Sequence, residues 1–326
     1  MAGEWRPTAA PAALKLRATL LARIRAYFAQ HDVLEVDTPA LSQAAVTDPA
    51  LHSFSTVFHG PGLRHNQIGY LHTSPEFPMK RLLAAGSGDI YQICKVFRDG
   101  EAGALHNPEF TLLEWYRTGF DHLDLMDDVQ QLLTEILQDV KPVTEVTHWT
   151  YRDLFMSCAD IDPFSTSVQA ISARLQQQGV APIGMQNASL DDWLDLVMTH
   201  VVEPDLGDGL VFIRDYPASQ AALARLRSDN PVVAARFEVY LDGVELANGF
   251  YELTDVAEQQ QRFEQEQRCR HRLGLDAVPM DQRLLDALHA GLPDCAGIAL
   301  GVDRLLMVAS GAKALDPVLS FTFDIA

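Results

Sequence analysis

The stretch Phe97–Tyr116, FRDGEAGALHNPEFTLLEWY, decides the fold. The apolar run IYQICKVF ends at Arg98, a Gly-rich polar segment follows, and a second run begins after Pro108, so the segment reads as two β-strands joined by a loop. Side chains along a strand alternate between its faces. Phe110, Leu112, Glu114 and Tyr116 therefore share one face, and Thr111, Leu113 and Trp115 share the other. One face carries a stackable ring, an acid and a phenol, while the hairpin mouth carries Arg98, His106 and Asn107. Each residue alone also fits an amphipathic hairpin with a solvated tip. Together they suit a purine nucleotide with its phosphates and a cationic substrate.

Composition sets the bounds. With 326 residues, 48% of them hydrophobic, the chain can hold one large domain or two modest ones. No stretch approaches the ~20 continuous apolar residues of a membrane span, and residues 1–12 are too polar and proline-broken for a secretory signal. A disordered tail over 1–12 and a cytoplasmic location are expected. Cys94, Cys158, Cys269 and Cys295 are scattered without C-x-x-C spacing, which argues against a disulfide framework or a zinc site. Lys+Arg 25 against Asp+Glu 44 gives a net charge of −19, a poor match to nucleic acid and a better one to a basic protein partner.

Outward from the hairpin, Leu14, Leu20, Leu21, Ile24, Tyr27 and Phe28 fall at helical spacings and predict an amphipathic helix from Ala13 to about Gln30. HDVLEVDTPALS then reads as an extended segment closed by Pro39. In YLHTSPEFPMKRLLAAG, Thr73 or Ser74 can cap a helix beginning near Pro75, with Met79, Leu82 and Leu83 on its buried side and Glu76 in its first turn. Residues 121–139 read as a helix, and about 141–209 as a helical insertion without catalytic spacing. VFIRDYP is a strand, and ARFEVYLDGVELANG is a hairpin turning at Asp242-Gly243. Gly249 breaks its second strand, letting Glu245 and Glu252 point into one site, where two carboxylates suit Mg²⁺; two surface acids are the plainer alternative. Asp255 with Glu258 opens a helix to about Leu273. In GIALGVDRLLMVASG, Gly297, Ala299 and Gly301 share a strand face, a nearly bare floor for a ligand or a close backbone contact, before Arg304 in the next helix.

Arg98, the HNPEFT run at 106–111 and the Glu-x-Tyr at 114–116 resemble motif 2 of the class II aminoacyl-tRNA synthetases, in the form carried by lysyl-tRNA synthetases. The helix and Thr-Pro at 13–39 resemble motif 1, GIALGVDR resembles motif 3, and TSPE and ELANGFYEL resemble the segments that hold amino acid and metal. This resemblance implies an α+β class II synthetase fold, a six- or seven-stranded antiparallel sheet flanked by helices, and a homodimer. A catalytic domain is expected over 13–326, with the helical insertion at about 141–209. The resemblance places ATP on Arg98, Asp99, Gly100, Glu101, His106, Asn107, Phe110, Glu245, Leu246, Gly301 and Arg304. It places the amino acid on Ser74, Pro75, Glu76, Glu114, Tyr116, Asn248, Glu252 and Ala299, and Mg²⁺ on Glu245 and Glu252. Arg98, Arg304, Glu245 and Glu252 are the expected catalytic set.

Three departures refine this reading. The chain opens at the motif 1 helix, without the anticodon-binding domain of lysyl-tRNA synthetases. The floor is Gly-x-Ala-x-Gly rather than three glycines, so the Ala299 methyl crowds an α-amino acid and favours an amino group displaced by one carbon. Gly100 and Leu105 stand where those synthetases carry Glu and Arg. The first two departures resemble the bacterial elongation factor P lysyltransferases, paralogues that act without tRNA. That resemblance implies ATP-dependent activation of (R)-β-lysine, or lysine, and its transfer to a lysine ε-amino group of elongation factor P. A minimal lysyl-tRNA synthetase and a silent, sensing paralogue are the alternatives.

Overall fold

The computed structural model describes residues 5–59, 67–181, 184–185 and 188–326. In chain order the elements are α1 (Pro11–Gln30), β1 (Leu34–Glu35), β2 (Leu41–Ser42), β3 (Ser55–Phe58), β4 (Gln67–Leu71), α2 (Glu76–Ala84), β5 (Ile90–Phe97), β6 (Glu109–Thr118) and α3 (His122–Leu137). There follow β7 (Val146–Thr150), α4 (Tyr151–Ala159), α5 (Val168–Gln177), α6 (Leu190–Val197), β8 (Leu210–Pro217), β9 (Leu226–Arg227), β10 (Val233–Leu241), β11 (Val244–Tyr251), α7 (Val256–Arg272), α8 (Gln282–Gly291), β12 (Cys295–Gly301) and α9 (Val302–Ser310).

The organising hairpin is β5–β6, paired from Ile90↔Tyr116 to Phe97↔Glu109. It lies within a sheet of order β1-β5-β6-β12-β11-β10-β8-β7, with β9 beside β10. The pairings are antiparallel except β1–β5 and β7–β8. Among the described residues this sheet thus has nine strands, against the six or seven expected, and β2, β4 and β3 form a separate three-stranded sheet. The surplus comes from two-residue edge pieces and from β7, which lies in the expected helical insertion.

Alternation decides which sheet face is core. Leu113 and Trp115 of β6, Ile298 and Leu300 of β12, and Phe237 and Val239 of β10 are buried with Leu20, Ile24 and Phe28 of α1, the apolar side of α3, and α9. Asp303 ties this layer together: it accepts from Arg17 at 2.5 Å and from the Thr111 amide at 2.6 Å. The helices α4–α6 form a second core with Val211, Ile213 and Tyr216 of β8. A third joins α2 and α8 to Phe263 of α7.

Local chemistry explains most boundaries. Pro11 opens α1, two residues before the expected start, because the first turn loses nothing by lacking an N–H. Of the tail expected over 1–12, residues 1–4 lie outside the described residues, and 5–12 are held to the fold: Ala9 is buried, and Thr8 donates to the carbonyl oxygens of Ser320 (3.0 Å, from its amide) and Leu319 (2.7 Å, from its hydroxyl). Asp242-Gly243 turns the β10–β11 hairpin with φ of 51° and 73°, the pair of positive values that this short turn demands. The N-cap of α2 is Pro75, although Ser74 Oγ still accepts the Glu76 amide at 3.0 Å.

Gly249 does not break β11. The strand pairs through it, to Phe237 on one side and Ile298 on the other. A Cβ there would lie 2.6 Å from the Phe237 ring, which is why the position holds glycine. The change of parity lies at Leu246, where the register slips so that Val239 faces Ala247 while Tyr240 faces Glu245. This bulge puts Leu246 and Ala247 both into the core and turns Glu245 to the same side as Asn248 and Phe250.

Candidate active site

The sheet face opposite the main core floors a cavity of about 710 Å³. Register orders the floor in rows. Phe250, Gly297 and Tyr116 lie side by side, then Asn248, Ala299 and Glu114, then Gly301 and Leu112. The first and last rows are four residues apart on β6, about 13 Å at the rise of a strand. The ends differ sharply in charge.

At the Tyr116 end, Glu114 and Glu252 are buried to 2% and 1% exposure. Glu114 accepts from Ser74 Oγ at 2.6 Å and from Tyr116 Oη at 2.8 Å. Glu76 and Glu252 contact the Lys80 ammonium at 2.7 and 2.6 Å. The Glu252 contact is off the hydrogen-bond direction, so Oε2 remains without an aligned donor. Burial raises the carboxyl pKa of Glu114, with the Glu76 charge adding to it and the hydrogen bonds and Lys80 opposing it. Burial likewise raises Glu252, against the pull of Lys80. Three carboxylates share one internal cation here, so the pocket is built for added positive charge.

At the other end, Arg304 of α9 donates to Glu245 Oε2 at 3.1 Å, to the Glu245 carbonyl at 3.0 Å and to His106 Nε2 at 2.8 Å. Burial and the adjacent Arg304 lower the His106 pKa, consistent with its ring nitrogen accepting that bond. The Arg98 guanidinium lies 5.1 Å over the Phe110 ring and 3.5 Å from Glu101. Gly100 holds φ at 83°, so the loop turns there and delivers the next residue, Glu101, to Arg98. Two arginines, an aromatic face and a half-exposed carboxylate form an anion- and ring-binding end.

Most of the expected residues line this one cavity: Ser74, Glu76, Arg98, Glu101, His106, Asn107, Phe110, Glu114, Tyr116, Glu245, Leu246, Asn248, Glu252, Ala299, Gly301 and Arg304. Pro75, Asp99 and Gly100 do not line it; they shape the α2 entry and the loop turn. Asn107 spends its side chain on the chain itself, donating to the Glu109 carbonyl at 2.6 Å and accepting the Phe323 amide at 3.1 Å. The floor is less bare than its sequence implies. Gly297 is covered, since a Cβ there would stand 2.2 Å from the Tyr116 ring and 2.6 Å from Glu252 Oε1. Ala299 stays half-exposed between buried Ile298 and Leu300, so its methyl faces the cavity.

Glu245 and Glu252 reach the same cavity but with different partners, Arg304 for one and Lys80 for the other. Glu252 therefore lies with Glu76 and Glu114 at the Tyr116 end, apart from Glu245. No group of three or more His, Cys, Asp or Glu side chains suited to a metal occurs among the described residues. Lys80 and Arg236 were missed by sequence reasoning. Arg236 donates to Asn248 Oδ1 at 3.1 Å and to Glu238 at 2.5 Å, which leaves the Asn248 amide nitrogen for a ligand. The Glu76–Lys80 spacing of four was the available signal for Lys80; Arg236 had none.

The family of class II tRNA synthetases (D, K and N) matches residues 4–324. Relatives named elongation factor P–(R)-β-lysine ligase include one from Vibrio atlanticus, 48% identical over 99% of both chains. Another from Vibrio parahaemolyticus is 48% identical over 100% of both, and one from Salmonella gallinarum is 49% identical over 98% of both. With its antiparallel floor, paired arginines and acidic pocket, the chain belongs to the class II tRNA synthetase family, among the relatives that carry the elongation factor P–(R)-β-lysine ligase name.

Proposed function

We propose that this chain activates (R)-β-lysine with ATP and transfers the β-lysyl group to the ε-amino group of a lysine on elongation factor P. The observation that carries the reading is the cluster of buried Glu114 and Glu252 with part-buried Glu76 and the Lys80 ammonium, in the same cavity as Arg98 and Arg304. A ligand with two ammonium groups offsets the carboxylates, and its own carboxylate is then directed along the floor toward the arginines.

In the first half-reaction a carboxylate oxygen of β-lysine attacks the α-phosphorus of ATP and pyrophosphate leaves. Arg98 and Arg304 neutralise charge that builds on the phosphates, and Phe110 offers the ring face for adenine. Asn248, fixed by Arg236, holds the amino acid over Ala299. In the second half-reaction the unprotonated amine of the protein lysine attacks the carbonyl carbon, an amide forms and AMP departs. The chain's contribution is chiefly positioning and preorganised charge.

Mg²⁺ fits the phosphate end, since it retains waters and needs only one or two carboxylates beside the phosphates. Glu245 meets that need, being half-exposed, with its side chain hydrogen-bonded among the described residues to Arg304 alone. Glu238 has both oxygens engaged, by Arg236 and Tyr240. Bound there, the ion supplies Lewis-acid stabilisation of the leaving pyrophosphate.

The protein works as a cytoplasmic homodimer, without tRNA. Exposed Val57 and Ile68 lie opposite each other on β3 and β4 and support a partner surface, while the net charge of −19 disfavours a polyanion. No described helix is long and apolar enough to cross a membrane. ATP–pyrophosphate exchange tests the reading: exchange driven by (R)-β-lysine above α-lysine is expected, and exchange with neither would refute it.

A further inference from the structure

Among the described residues, Lys80 is the one cation buried within the carboxylate cluster, at 2% exposure. Its ammonium lies 2.7 Å from Glu76 and 2.6 Å from Glu252. A buried ion pair contributes little net stability, because desolvation offsets the attraction. Its placement in a cavity wall therefore points to the charge of the cavity. We propose that Lys80 is a specificity-determining residue: it offsets one of the three carboxylates, so that the pocket is balanced by a ligand bearing two ammonium groups. The inference rests on the cluster being the amine site proposed above.

The surroundings allow no substitute for it. Besides Glu76 and Glu252, the groups around the ammonium are Glu114 and Tyr116 of β6, Cys295 of β12, and more distantly Glu266 of α7. All are acidic or neutral. Of the other cations, Arg81 follows Lys80 on α2 but is exposed, and Arg225 is directed at the Glu252 carbonyl and Asp294. Without Lys80, three carboxylates would share a buried site with no internal cation, and like charges so placed cannot all ionise. A further proton is then held at neutral pH, beyond those the parent already holds, and a dication must displace it in order to bind.

The test is the pH dependence of (R)-β-lysine binding, measured by calorimetry without ATP or elongation factor P. Affinity falls as pH is lowered and the carboxylates protonate. Lys80→Met is expected to move the midpoint of that fall upward by at least about one pH unit, the scale of losing an adjacent opposite charge. Adding Glu76→Gln to Lys80→Met restores the charge balance and brings the midpoint back toward the parent protein. A midpoint unchanged in Lys80→Met would overturn the proposal. Should that variant fail to fold, Glu76→Gln alone, which keeps Lys80, must move the midpoint downward; no movement there overturns the proposal equally. Absence of β-lysine binding by the parent protein would instead count against the functional reading.

Discussion

Gly297→Ala is the substitution for which the structure sets the largest effect. The added Cβ would lie 2.2 Å from Tyr116 Cε1, 2.4 Å from Cδ1 and 2.6 Å from Glu252 Oε1, well inside contact distance. Neither neighbour yields freely, because Tyr116 is 2% exposed and bonded to Glu114, while Glu252 is 1% exposed and held against Lys80. Displacing them weakens two polar contacts involving charged groups, each worth about 1.5–3 kcal/mol. At ~1.4 kcal/mol per decade, the expected loss in kcat/KM for β-lysine is about 10² to 10⁴. Overpacking alone costs about 1–3 kcal/mol of stability. Gly301→Ala is the control: its Cβ meets nothing nearer than 3.7 Å, so the fold should be unaffected and only the ATP KM should rise. ATP–pyrophosphate exchange with thermal melts separates the two. Gly297→Ala retaining activity within threefold of the parent would refute the argument.

Ala299→Gly removes the methyl between Asn248 and Glu114 and should shift relative exchange rates toward α-lysine by about tenfold, the scale of one methyl in a pocket; an unchanged ratio contradicts the steric role. Glu252→Gln should lower kcat/KM for β-lysine by about 10²-fold or more, while the Mg²⁺ dependence stays as in the parent; a shifted Mg²⁺ requirement would return this residue to the metal. Glu114 and Glu252 have folded-state pKa values raised by burial. The folded state therefore holds extra protons between the ordinary carboxylate range and the raised values, and stability falls as pH rises across that window. The melting temperature of the ligand-free protein should drop from about pH 5 to about pH 8, Glu114→Gln should flatten the drop, and a flat parent profile would contradict the assignment. Arg236→Met should raise the β-lysine KM more than it lowers kcat, since Asn248 loses its anchor; an unchanged KM is the opposing result.

The β5–β6 hairpin was legible because period-two alternation and loop chemistry are local, and the faces of Phe110, Glu114 and Tyr116 followed directly. The Asp242-Gly243 turn was legible for the same reason. The bulge at Leu246 was not, because it arises from pairing with Val239 and Tyr240, and the change of parity was assigned to Gly249 instead. Glycine there answers the Phe237 ring on the neighbouring strand, a contact that no single stretch of sequence displays. Lys80 owes its burial to Glu252, which only folding places beside it. Strand β7 was hidden by its short, mixed run VTHWT at the edge of a helical region.

The central claim is transfer of β-lysine to a protein, and intact mass of elongation factor P tests it most directly. After incubation with the chain, Mg-ATP and (R)-β-lysine, the account predicts one added β-lysyl group on elongation factor P and none on a tRNA acceptor run beside it. Unmodified elongation factor P alongside charged tRNA would contradict it.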